Sequence, residues 1–227
     1  VSNSPGAAIW DVDGTLVDTA ELHFQAWSEL IPRLGRPLTR SDFAATFGRR
    51  NPEIFRYLFD DRFSDQEMAK LAEQKEELYR SAASKGVTLL PGARQLLEGL
   101  RSAGFRQAIG SSAPRKNLEL ILTLTGTALF FDAIVSMEDT NRGKPDPEVY
   151  LVAASRLQMQ PRYSVVFEDA PTGIQAAKEA GMKCIAVRFI GHHSESTLRS
   201  AGADLIVKSL DEVSVETVRR LLHLHQD

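Results

Sequence analysis

Ala7-Ala8-Ile9-Trp10-Asp11-Val12-Asp13-Gly14-Thr15 begins with four apolar residues and runs straight into two carboxylates and a glycine. The apolar run is strand-sized, and five more follow it, at residues 107–109, 133–135, 165–167, 185–187 and 205–207. Helical candidates separate the later runs, at 92–103, 114–124, 147–157, 172–180 and 211–222. Near-continuous apolar strands alternating with helices predict an α/β fold, a doubly wound parallel sheet in three layers with helices on both faces. Gly104 and Gly181 follow two of these helices, where a C-terminal glycine is expected.

Residues 20–85 break the rhythm. They contain no buried strand pattern, only helical stripes. Leu22, Ala26, Trp27, Leu30, Ile31 and Leu34 form one stripe; Met68, Leu71, Ala72, Lys75, Leu78, Tyr79 and Ala82 form another. The expected organisation is a core domain of residues 1–19 and 86–227, with a helical domain of residues 20–85 inserted after the first strand. Residues 85–92, ending in Pro91-Gly92, return the chain to the sheet.

Composition narrows the function classes. The formal charge is -3 with the two signs well mixed, so no basic stripe offers itself to a nucleic-acid backbone. One cysteine, Cys184, excludes an internal disulfide framework and fits a reducing compartment. No apolar run reaches the length of a membrane span, and the first residues lack a charged-then-apolar leader pattern, so the cytoplasm is the expected location. No large apolar face is left over, which predicts a monomer.

In open parallel sheets, ligands bind beyond the carboxyl ends of the strands. Asp11 and Asp13 follow the first run there, Gly110-Ser111-Ser112 the second, and Glu168-Asp169 the fourth; Gly143-Lys144-Pro145-Asp146 occupies the loop after the third. Asp11 and Asp13 are two apart in an extended segment, so both carboxylates face one space. Two carboxylates that close repel, and one or both must gain a cation or share a proton. A magnesium ion held by Asp11 and Asp169 meets that need with oxygen ligands, and Lys144 neutralises what remains. Taken alone, Asp-x-Asp-Gly is equally readable as a polar turn between strand and helix.

The stretch from Asp11 to Thr19 resembles the first motif of the haloacid dehalogenase-like superfamily. Ser111 resembles its second motif, Lys144 its third, and Glu168-Asp169 its fourth. The helical insert is similar to the cap of the branch that contains beta-phosphoglucomutase and sugar-phosphate phosphatases. The resemblance implies that Asp11 is a nucleophile forming an aspartyl-phosphate and that Asp13 is the general acid and base. It implies that Ser111, Ser112 and Lys144 hold the phosphoryl group. Mg2+ would contact Asp11, the backbone carbonyl of Asp13 and Asp169, with Glu168 in direct contact or just behind. The acid at position 13 sets the chain apart from a dehalogenase, whose leaving halide needs no proton, and from the cation-pump branch.

Lys75 lies on the apolar stripe of its helix, where it either extends past its neighbours to water or points into the cleft. The string from Asp18 to Trp27, including His23, is similar to the mutase sequence, in which that histidine couples cap closure to the general acid. Gly48-Arg49-Arg50-Asn51 resembles the specificity loop of the cap, but Asn51 stands where the mutase has an arginine. Ala113-Pro114 likewise replaces the Ser-Lys that follows the second motif there. His192-His193 and the pair His223 and His225 are badly spaced for a metal. The expected function is a magnesium-dependent phosphatase acting on a small phosphorylated metabolite, most simply a sugar phosphate. A mutase using a bisphosphate intermediate and a non-catalytic sugar-phosphate-binding protein are the rivals.

Overall fold

A computed structural model describes residues 6–223. Strands β1 (Ala7–Trp10), β2 (Arg106–Gly110), β3 (Ala133–Val135), β4 (Ser164–Glu168), β5 (Lys183–Val187) and β6 (Leu205–Val207) form one sheet. Their spatial order is β3-β2-β1-β4-β5-β6, and every neighbouring pair is parallel. The chain builds outward from β1 in one direction through β2 and β3, then restarts on the other side with β4. The crevice between β1 and β4 is therefore the switch point, where two sets of loops part and leave room for a ligand.

The alternation of side chains along each strand feeds two cores. Ala8 and Trp10 face α5 (Ala93–Ser102), α6 (Arg115–Thr125) and α10 (Val215–Leu221). Ala7 and Ile9 face α7 (Glu148–Arg156), α8 (Pro171–Glu179) and α9 (Glu195–Ser200). Trp10 stacks on Phe167 with ring centroids 4.0 Å apart. Its indole N–H donates to Gln107 Oε1 at 3.1 Å, and the Gln107 amide donates onward to the Leu97 carbonyl at 2.9 Å. A polar residue thus sits in a buried strand at little cost, because both ends of its amide are paired.

Between β1 and α5 lie α1 (Ala20–Leu30), α2 (Arg40–Thr46), α3 (Asn51–Phe59) and α4 (Asp65–Ala83). They enclose a third apolar cluster built on Trp27, Leu30, Ile31, Phe43, Phe55 and Met68. The first predicted stripe is split: Trp27, Leu30 and Ile31 belong to this cluster, while Ala26 packs into the sheet core. Outgoing and returning chains are tied together. Val17 bridges Leu89 antiparallel, Leu90 N–H donates to the Leu16 carbonyl at 3.0 Å, and Asp18 N–H to the Thr88 carbonyl at 3.1 Å.

The structure differs from the sequence reading at helix boundaries. The predicted helix over 211–222 is a 3-10 turn at Leu210–Glu212 followed by α10, because Ser214 caps a fresh start by accepting from Thr217 N–H at 3.1 Å. The short helix α9 is absent from the predicted elements because it buries a single residue, Leu198, too few to show a period. Asn51 is not in a loop with Gly48, Arg49 and Arg50; it is the first residue of α3, followed by Pro52 in the first turn, where a missing N–H costs nothing.

Candidate active site

Three strand ends and one loop meet at the switch point. Asp11 leaves β1, Ser111 leaves β2, and Glu168-Asp169 end and follow β4. Lys144 enters from the loop between β3 and α7. Its ammonium donates to Asp11 Oδ1 at 2.6 Å and to Glu168 Oε1 at 2.7 Å, with all three side chains buried. Glu168 is fully engaged: Oε1 also accepts from the Tyr150 hydroxyl at 2.9 Å, and Oε2 accepts the Asp169 and Ala170 N–H groups at 2.8 Å each. Those partners lock the carboxylate, which fixes the lysine in turn.

Gly14 explains how the first strand can turn away so abruptly. Its φ is +86°, and a Cβ there would stand 2.2 Å from Asp169 Oδ2, so a side chain is excluded both by conformation and by the carboxylate opposite.

Asp13 lies on the same cavity but faces other partners. Its Oδ1 accepts from the Thr19 hydroxyl at 2.5 Å and meets His23 Nε2 at 3.1 Å. The other ring nitrogen, Nδ1, is 2.8 Å from Lys75 Nζ. An ammonium only donates, so Nδ1 accepts and the ring proton belongs on Nε2, where it is given to Asp13. His23 stacks on Tyr79 with centroids 4.0 Å apart, which holds the ring in plane for this relay. Burial alone would raise the Asp13 carboxyl, but His23, Thr19 and Lys75 outweigh it and hold it below the usual range.

A cavity lies above these groups, between the strand ends and the helices. Asp11, Asp13, Ser111 and Ser112 line it from the sheet; His23, Gly48, Arg49, Asn51 and Lys75 line it from the helices. A profile of the haloacid dehalogenase-like hydrolase family matches residues 8–187, a span that includes every one of these groups. The chain belongs to that family.

Among its relatives, validoxylamine A 7'-phosphate phosphatase from Streptomyces hygroscopicus subsp. limoneus is 32% identical over 213 residues, covering 91% of this chain and 94% of that protein. Fructose-1-phosphate phosphatase from Escherichia coli is 33% identical over 184 residues, covering 80% and 96%. Among solved structures, a beta-phosphoglucomutase from Clostridium difficile superposes with a TM-score of 0.86 at 27% identity, covering 96% of this chain and 97% of that one. This haloacid dehalogenase-like hydrolase thus has both phosphatases and a mutase among its relatives.

The acidic groups suit a hard divalent cation. Asp11, Glu168 and Asp169 each place an oxygen within 4.8 Å of the others, the only such group of metal-competent side chains among the described residues. Three buried carboxylates face one ammonium, Lys144, which leaves the site short of positive charge. Burial pushes Asp11 up to about 7, with Glu168 and Asp13 adding to the rise and Lys144 opposing it. Burial and the charges of Glu168 and Asp11 raise Asp169 well above the carboxylate range. Burial works against the Lys144 ammonium, but Asp11 and Glu168 prevail and raise it. An all-oxygen set with surplus negative charge fits Mg2+. Because Glu168 already accepts hydrogen bonds on both oxygens, Asp11 and Asp169 are the carboxylates free to hold it.

Several placements could not be read from the sequence. Arg50 turns away from the cavity: its guanidinium donates to the Thr140 hydroxyl and carbonyl and to the Arg142 carbonyl, joining the start of α3 to the Lys144 loop. Gly143 in that loop is pressed by the same contact, since a Cβ there would stand 2.5 Å from Glu53 Oε1 and 3.0 Å from Arg50 Cδ. His192 packs edge-on against Phe43 and Phe47, and among the described residues His193 joins no metal-competent group. His225 lies outside the described residues. Thr19, Tyr79, Tyr150 and Glu76 are site residues that the sequence does not announce. Tyr79 was detectable as the residue four after Lys75 on one helical face; Tyr150 and Glu76 carry no signal beyond their position.

Proposed function

We propose that this protein is a magnesium-dependent phosphatase of small phosphorylated metabolites, sugar phosphates above all, working through a phosphoryl group carried on Asp11. The observation that carries the reading is the pairing of two carboxylates on one cavity floor with opposite settings. Asp11 is held against Lys144 at the acidic cluster, and Asp13 sits within reach of a proton relay. The two carboxylates thereby have separate partners, a cation on one side and a proton relay on the other.

In this account the Asp11 carboxylate attacks phosphorus, and the ester oxygen leaves with a proton that Asp13 passes on from His23 Nε2 as Lys75 gives one to Nδ1; Asp13 then takes a proton from the attacking water and returns it along the same relay. Lys144, Ser111 and Ser112 receive the phosphoryl oxygens. Asp11, the Asp13 carbonyl and Asp169, with Glu168 behind, would hold Mg2+, which would neutralise charge on the phosphoryl group. Residues 20–85 act as a cap, with the Arg50 contacts closing it over the cavity and excluding bulk water. His23 and Lys75 orient Asp13. The phosphatase and mutase relatives bracket the choice of acceptor. Ala113 and Pro114 on the sheet side of the cavity, and the diversion of Arg50, leave few groups to grip a second phosphate, which favours water.

The assay is a panel of sugar phosphates with magnesium, with and without a hexose bisphosphate primer. The expected result is phosphate release from several of them, independent of primer and abolished by a chelator. Primer-dependent isomerisation without phosphate release would replace the phosphatase by the mutase, and no turnover of any ester would restore the non-catalytic binding protein.

A further inference from the structure

At the far end of the relay that starts at Asp13 is a buried charge to which the chemistry above gives no task. Glu76 is 3% exposed and lines the cavity. Its Oε1 accepts from Asn51 Nδ2 at 2.7 Å and from Lys75 Nζ at 3.0 Å; its Oε2 accepts from Asn117 Nδ2 at 2.6 Å. Burial works to raise this carboxyl, yet Lys75, His23 and the two amides bring it below the usual range, so it is ionised. A carboxylate has roughly four acceptor places. Among the described residues three are filled, which leaves one for a donor from the cavity.

Folding alone does not call for this arrangement. A buried ion pair is commonly no more stabilising than apolar residues of the same volume, and the surroundings, with Trp27 and Ile54 on the same cavity, are apolar. The pair also changes what Lys75 offers. Its charge is answered by Glu76 and its other contact is taken by His23, so it is not a free cation awaiting an anion. Arg49, the other cation on the cavity, lies 5.7 Å over the Tyr57 ring and also acts on the half-buried Glu53 carboxylate. Amides, an answered ammonium and a carboxylate beside an indole match a neutral polyol, with hydroxyls on one edge and C–H groups on one face.

We infer that Glu76 is a specificity-determining residue: with Asn51, Asn117 and Lys75 it receives a hydroxyl of the alcohol esterified to phosphate, and it turns away esters whose alcohol carries a second negative charge. This rests on the phosphatase reading above. The carboxylate accepts the hydroxyl proton in a charge-assisted hydrogen bond, whereas a carboxylate or second phosphate at that place meets a like charge.

The test compares kcat/KM for glycerol phosphate and sorbitol phosphate with that for phosphoglycolate, in wild type and in Glu76→Gln. Wild type is expected to prefer the polyol esters. Glu76→Gln, which keeps shape and loses charge, is expected to lower the polyol-to-phosphoglycolate ratio by about 10- to 100-fold. Glu76→Asp, which keeps the charge, is expected to hold the ratio closer to wild type. An unchanged ratio, with both esters slowed together, would assign Glu76 to structure only and overturn the inference while leaving the phosphatase intact. Should Glu76→Gln fail to fold, the wild-type ratio decides: a preference for phosphoglycolate overturns the inference. Absence of turnover by wild type on all three esters would overturn the phosphatase reading with it.

Discussion

Asp11→Asn is expected to lower kcat by at least about 10⁴-fold on any phosphate ester the wild type hydrolyses. The amide has the carboxylate's shape but neither its nucleophilicity nor its charge, and no neighbour is placed to substitute for it. Glu168 has both oxygens committed to Lys144, Tyr150 and two backbone N–H groups, and Asp13 is turned to Thr19 and His23. Stability should not follow activity down. Three buried carboxylates share this corner with one ammonium, and burial, with the charges of Glu168 and Asp13 adding to it, already makes Asp11 resist ionisation. Removing one negative charge relieves repulsion, and Lys144 keeps Glu168 as a partner. Denaturant unfolding beside steady-state kinetics separates the two effects. A variant that is inactive because it is unfolded, or one that keeps wild-type turnover, would each contradict the assignment.

Gly173→Ala is expected to destabilise the protein by about 2 kcal/mol or more and to cost roughly 100-fold in turnover. The sign is opposite to helix propensity, which favours alanine over glycine inside a helix such as α8 by about 1 kcal/mol. Packing decides. A Cβ at this position would lie 1.6 Å from Glu168 Oε1 and 2.0 Å from its Cδ. That side chain has no slack, since all of its hydrogen bonds run to buried partners. Moving it releases Lys144 from one of its two anchors and shifts the ammonium that faces Asp11. Chemical denaturation and kcat measured on the same preparation check both numbers; a gain in stability would show that the Glu168 pocket yields more easily than its contacts imply.

The sheet was legible because its strands are short, almost purely apolar and separated by periodic helices. Three of the six predicted runs, at Ala7–Trp10, Ala133–Val135 and Leu205–Val207, coincide with the observed strands. Each of the others lengthens by two residues, taking in Arg106 and Gly110, Ser164 and Glu168, and Lys183 and Cys184, most of them polar residues that still pair in the ladder. Helices α2 and α4 start at capping boxes, Thr39 with Asp42 and Ser64 with Glu67; α4 also carries the stripe from Met68 to Ala82, whereas the seven residues of α2 are too few to show one.

The meeting of Asp11, Lys144 and Glu168-Asp169 was legible for a different reason: strand ends in a parallel sheet share one rim. What hydrogen bonds do on that rim was not. Nothing in the order of residues says that Arg50 leaves the cavity for the Lys144 loop, that Asn51 turns to Glu76, or that Lys75 reaches His23. Those contacts depend on how the helices of residues 20–83 sit over the sheet, and side chains 25 to 92 residues apart carry no mutual period.

The most direct test of the account is to catch the phosphoryl group. Asp13→Asn removes the carboxylate assigned to proton transfer and leaves Asp11, Lys144 and the acidic cluster untouched. Quenched in acid during turnover with magnesium and a phosphate ester, this variant should carry one phosphoryl group on the peptide containing Asp11, located by mass spectrometry. Phosphate bound to any other residue, or a variant that turns over with no covalent phosphate at all, would contradict the claim that Asp11 is the nucleophile.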